Sequence, residues 1–221
     1  MKKIIYSTLS VALLAVSISS CAKSSKGKMA NEWKVTEFNS TETDTDSNGD
    51  QTVSTTSMTE STATMTTVQT SGGSSQTTTQ SGTVNANEMT IDKDGTWTST
   101  RDITSTQSIL GTTATTNMKT VTSGTWAFVG KTKGDDFKKN ERVLFNTLSE
   151  TYTQVYTYNG SSQTSASTDT YLTGENVMIY TVTESKGKEL ALESEMSSSN
   201  TSTGGGTSST KGTTTIKLAE K

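Results

Sequence analysis

The chain has 221 residues, with 19 Lys and Arg against 22 Asp and Glu, a net charge of −3. It contains no histidine, no proline and a single cysteine, Cys21. These counts exclude an imidazole base, a His-ligated metal and an intramolecular disulfide, and there is no basic stripe with interleaved aromatics to suggest a nucleic-acid partner.

The first element is a leader, "MKKIIYSTLSVALLAVSISSC". Lys2 and Lys3 precede a mostly apolar run, Ile4 to Val16, and small residues Ser19 and Ser20 lead to Cys21. That is the three-part plan of a secretory signal peptide, and the run is shorter than the ~20 residues a membrane span needs. Ile18-Ser19-Ser20-Cys21 resembles the bacterial lipobox. The resemblance implies cleavage before Cys21, a diacylglycerol thioether on its sulfur and an acyl chain such as palmitate on the new amino group. One chain holds marginally at ~0.8 kcal/mol per buried CH₂, whereas two or three anchor durably. Ala22 stands where an acidic retention residue would sit, which points to the outer membrane. Residues 1–20 are therefore expected to be the signal peptide and 21–30 a lipidated cysteine with a flexible tether, "CAKSSKGKMA".

Residues 31–221 form the predicted domain. Without Lys2 and Lys3 of the leader, the basic count of residues 21–221 is 17 against 22 acidic groups. Ser and Thr make up roughly a third of the chain, a composition often disordered. The abundance of β-branched Thr, the missing proline and the alternation of apolar residues between turn signals argue instead for strands.

In chain order, "NEWKVTEFNST" predicts a first strand with Trp33, Val35 and Glu37 on one face. "TDTDSNGDQ" is a turn. "VSTTSMTESTATMTTVQT" is a long polar run, closed by a hairpin signal at "SGGSS". "QTTTQSGTVNANEMTID" turns at "DKDG" into "GTWTSTRDITST", and "TTNMKTVTSGTWAFVG" returns. After the charged loop "KTKGDDFKKNE" comes "RVLFNTLSETYTQVYTY", one long strand or a pair, with Tyr152, Tyr156 and Tyr158 on one face. The remainder turns at "NGSS", "KGK" and "TGGGTSS", and Leu190, Leu192 and Met196 are expected to face inward. Eight or nine strands in an all-β antiparallel up-and-down meander follow. Closure into a barrel removes exposed edges; a β-sandwich is the alternative. The Thr-rich strands lack the outward apolar band of a membrane barrel.

"EWKV", "MTIDKDGTWT", "SGTWAFV" before "KKNERVLF", and "YTVTESKGKELALE" occur in an order similar to the lipocalin-like domain of small bacterial lipoproteins. The resemblance implies a lipocalin-like β-barrel and no assigned activity. The Thr-rich stretches 52–83 and 99–121 go beyond that pattern.

Among candidate sites, Trp33, Trp97, Trp126, Tyr152 and Tyr156 are read as core or, alternatively, as walls of a ligand cavity. Asp44, Asp46, Asn48 and Gly49 begin like a calcium loop, but the twelfth position is Thr55 rather than a bidentate Glu. A polar turn is the simpler reading. Asp92 with Asp94 and Asp135 with Asp136 are carboxylate pairs in turns, where Asp is favoured for backbone reasons. The sequence thus predicts a non-enzymatic envelope lipoprotein without cofactor or metal. Its expected partners are the membrane through the lipid on Cys21, and a small apolar or amphipathic ligand in the barrel. An envelope protein or glycan on a ligand-free surface module is the alternative.

Overall fold

A computed structural model describes residues 25–109, 111–130, 140–201 and 207–221. The leader, Cys21, Asp135 and Asp136 lie outside these residues. One helical turn, α1 (Lys26–Met29), precedes eleven strands: β1 (Asn31–Thr45), β2 (Gln51–Thr59), β3 (Thr62–Ser71), β4 (Ser74–Ile91), β5 (Thr96–Ile109), β6 (Thr112–Phe128), β7 (Glu141–Tyr158), β8 (Ser161–Thr170), β9 (Asn176–Lys186), β10 (Glu189–Thr201) and β11 (Thr207–Glu220). No helix among the described residues is long and apolar enough to cross a membrane.

All eleven strands belong to one antiparallel sheet rather than to two separate ones. The sheet closes on itself, because two pairings, β6 with β7 and β1 with β4, join what would otherwise be distant strands. A ring of hydrogen bonds therefore runs through β1, β4, β5, β6, β7, β9, β10 and β11. The β1–β4 contact is short, Asn31–Lys34 against Glu88–Ile91. Beyond it the hairpin β2–β3 wedges between the two strands. On the other side, β8 pairs with the far half of β7, Ser149–Tyr158, while the near half pairs with β9. The ring is thus narrow near the start of β1 and widens along its length.

Eleven strands exceed the eight or nine predicted, and the β2–β3 hairpin accounts for much of the excess. Its turn has no Gly, Asn or Asp to announce it. Thr59 Oγ1 instead accepts the N–H groups of Ser61 and Thr62, at 3.3 and 3.1 Å, and meets Thr62 Oγ1 at 2.8 Å. This is a side-chain-closed turn inside what reads as a uniform polar strand. By contrast, the β7–β8 turn carries Asn159 and Gly160 at φ of 48° and 75°, the backbone of a two-residue hairpin that an Asn-Gly pair favours. The segment left open as one strand or two is a single 18-residue strand, β7.

Bulges correct the predicted faces. The register of β1 shifts between Val35 and Glu37. Trp33, Val35 and then Phe38 pack inward, and Glu37 turns out to pair with Lys217 at 2.6 Å. Strict alternation would have put Glu37 in the core; the extra residue removes it. Further shifts occur at Val84/Ala86, Ala191/Leu192 and Ser123/Gly124. Each sharpens the local twist, which is what a sheet closing on itself requires.

The main core fills the narrow end. Trp33, Ile91, Val143, Leu190, Leu192 and Leu218 are at most 2% exposed there, each large apolar side chain contributing ~1.5–3 kcal/mol on burial. Met29 of α1 is fully buried in the same cluster. Its carbonyl accepts the Trp33 indole N–H at 2.9 Å, and the Ser25 N–H donates to Glu141 Oε2 at 2.9 Å. The helical turn is therefore a plug across the ring's narrow end. A smaller cluster of Met58, Ala63 and Val84, with Phe38 and Ile103 against it, lies beneath the β2–β3 hairpin.

Candidate functional site

Above the packed end, the ring surrounds a partly open cavity of about 550 Å³ lined by residues from all eight of its strands. Its floor is apolar: Val35, Met89, Trp97, Phe145, Met178 and Ile216. Two edge-to-face contacts brace the floor. Trp97 and Phe145 have ring centroids 5.2 Å apart at 68°, and Phe145 and Tyr180 lie 5.9 Å apart at 73°. Such pairs contribute ~0.5–1.5 kcal/mol beyond area burial.

Strand alternation then brings polar groups up the wall. On β5, Trp97, Ser99 and Arg101 share the inner face, so Arg101 stands ~13 Å above Trp97 at strand rise. On β4, Asn87 is the cross-strand partner of Arg101. The Arg101 guanidinium sits over the Phe38 ring, 4.6 Å from its centroid. It makes no ion pair and no hydrogen bond with any described residue, and its Nε is buried without a partner. The side-chain nitrogen of Asn87, a residue only 7% exposed, is likewise buried and unpartnered. Glu150 lines the same cavity and accepts from Thr122 Oγ1 at 3.4 Å. Glu42 lies four residues beyond Phe38, toward the wide end.

The charges respond to this enclosure. Burial lowers the pKa of Arg101, opposed by the nearby Tyr180 and Glu150. Burial pushes the Tyr180 phenol up to about 12, with Arg101 pulling the other way. Glu42 is raised by burial and by repulsion from Asp44. At neutral pH the wall therefore offers a charged guanidinium, an amide and a neutral phenol above an aromatic floor. An apolar floor beneath a wall rich in polar groups is an arrangement that can hold and orient an amphipathic molecule.

A second space of about 190 Å³ lies under the β2–β3 hairpin, walled by Met58, Ala63, Ile103, Met118 and Tyr152. Arg101 borders both spaces.

No protein-family model matches the chain, and no curated protein or solved structure matches it.

The residues singled out from sequence fall in different places. Trp97 lines the main cavity, whereas Trp33 is packed beneath it, 2% exposed. Trp126 packs partly against the core, its indole N–H donating to the Asp92 carbonyl at 2.8 Å. Tyr152 borders the smaller space, and Tyr156 lies four residues further along β7. The Asp44–Asp50 turn is closed by its own backbone. Asp46 Oδ1 accepts from the N–H groups of Asn48 and Asp50 at 2.8 and 2.9 Å, while Asp44 accepts from Thr210 at 2.6 Å and Asp50 from Ser71 at 2.7 Å. Among the described residues, no three Asp or Glu groups converge as metal ligands. Asp94 is likewise a turn residue, holding Thr96 through its N–H and hydroxyl.

Arg101, Asn87, Phe145 and Tyr180 escaped the reading from sequence. Arg101 had a signal: counting by twos from Trp97 puts it on the inner face. Asn87 had the same signal, since counting back by twos from Ile91 and Met89 reaches it, although the β4 bulge at Val84/Ala86 breaks the alternation just before it.

Proposed function

We propose that this protein is a non-enzymatic bacterial lipoprotein, held in the outer membrane by acyl chains on Cys21. In this reading its closed sheet is a lipocalin-like barrel that binds a small apolar or amphipathic molecule. The observation that carries it is the 550 Å³ cavity with an aromatic floor inside the ring, a volume within the range of ligand sites, ~300–1,000 Å³. A core meant only for stability is filled to close packing; here the packing stops at Trp97 and Phe145.

Native mass spectrometry of the full chain from cell envelopes tests this. A small-molecule adduct, beyond the lipid on Cys21, is expected and should dissociate on activation. An adduct-free chain whose tryptophan emission does not respond to envelope lipid extract would remove the reading.

A second reading has one observation of its own. Strand β8 pairs only with β7 among the described residues, and all ten of its residues are exposed. An unpaired, Ser/Thr-rich edge is suited to an envelope protein or glycan partner. Photo-crosslinking from Thr164 in intact cells should capture a defined partner under this reading, and no adduct under the first.

A further inference from the structure

We infer that the cavity takes a ligand with one negative charge at the end of an apolar body, its head group held by Arg101 and Asn87. The inference rests on the binding reading above and adds the chemistry of the ligand.

The reason is an imbalance of donors. Arg101 Nε and Asn87 Nδ2 are both buried and both lack an acceptor among the described residues. The two residues are cross-strand partners, so they stand side by side on one wall. Buried donors without acceptors are rare in native proteins, and each needs an explanation. A buried guanidinium with no ion-pair contact among the described residues is the more costly of the two. Water can accept from these groups, but it cannot neutralise the charge. A carboxylate or sulfonate does both, since its oxygens match the guanidinium fork.

The surroundings limit the charge. Glu150 acts electrostatically on Arg101 without forming an ion pair with it, and Glu42 stands toward the wide end. Any anion there faces both carboxylates; Arg101 can offset one ligand charge, and the second charge of a phosphate monoester would add repulsion that nothing offsets, which favours a monoanion. Below Arg101 the wall passes Ser99 and then reaches the apolar floor at Trp97, ~13 Å away, which suits a short acyl chain or a pair of fused rings. The face of Phe38 under the guanidinium already holds it in place at 4.6 Å, so little ordering remains to be done on binding.

Calorimetry on the full chain in phosphatidylcholine nanodiscs, with empty nanodiscs as the blank, tests the charge. The probes are octanoate, octanol and octylammonium. Octanoate should bind about 10- to 100-fold more tightly than octanol, and octylammonium should be weakest. Arg101→Met should bring octanoate down to the level of octanol and leave octanol unchanged. Arg101→Lys, which keeps the charge and loses the fork, serves if the Met variant does not fold, and should weaken octanoate alone. Asn87→Asp should weaken octanoate too. Equal binding of octanoate and octanol, unaffected at Arg101, overturns the anion while leaving the binding cavity standing. Binding by none of the three means a water-filled cavity only, and overturns both.

Discussion

Replacing Gly124 by alanine tests how the ring closes. Gly124 lies at the β6–β7 register shift, opposite Thr147. A Cβ added there would fall 1.9 Å from the Asn146 carbonyl oxygen, 2.9 Å from its carbon and 3.0 Å from the Trp97 indole nitrogen. Two of those three atoms are backbone, so no rotamer change relieves the clash. Strand β6 must move away from β7 at the pairing that joins the two halves of the meander. Overpacking of this kind costs ~1–3 kcal/mol, and each ladder hydrogen bond lost adds about 1 kcal/mol. We expect a total of about 3 kcal/mol, a fall in Tm of roughly 6–12 °C for a domain of this size, together with a shift in tryptophan emission as Trp97 is displaced. Differential scanning calorimetry and fluorescence on the same sample read both. Gly27→Ala is the matched control: nothing lies within 4 Å of its added Cβ, and it sits in α1, where Ala is favoured over Gly by ~1 kcal/mol. If Gly124→Ala melts within about 2 °C of the parent protein, the close approach of β6 and β7 is not what shapes the ring.

Tyr180 should make the protein sensitive to alkali. Its folded pKa of about 12 lies above the unfolded value of 10.0, so below pH 10 both states keep the proton and the stabilisation is fully present. Between pH 10 and 12 the unfolded state ionises first and stability is lost, by an amount on the order of 2–3 kcal/mol; chemical denaturation of Tyr180→Phe across that window should lack this component of the loss. Met29→Ala removes the plug's only fully buried side chain and should destabilise by ~2–5 kcal/mol in urea unfolding, while a cost under 0.5 kcal/mol would mean α1 does not seal the ring. Cys21→Ser should release the chain from envelope membranes into the soluble fraction, as immunoblotting of fractionated cells would show; retention in the membrane would count against the lipid anchor.

Part of this architecture was legible beforehand because it depends on local chemistry. The β-branched threonines, the absence of proline and the Gly-containing turns at "SGGSS", "DKDG" and "NGSS" place strand ends with little tertiary help. The inward leucines of β10 obey simple alternation, and Leu190 and Leu192 are each 1% exposed. The turn at Thr59–Thr62 was hidden because a threonine hydroxyl closes it, and threonine is everywhere in this chain. The inner face of β1 was misjudged at Glu37 for a related reason, since a bulge leaves no mark in composition.

The amino-acid sequence by itself determined that this is an antiparallel β protein, because strand propensity and turn chemistry act over a few residues. Only the tertiary structure decided that the sheet meets itself, through β1 with β4 and β6 with β7, and that an arginine and an asparagine share one wall of a cavity inside it. Those pairings join residues far apart in the chain, and register shifts at four bulges set which side chains face in. No window of sequence short enough to read by pattern contains that information.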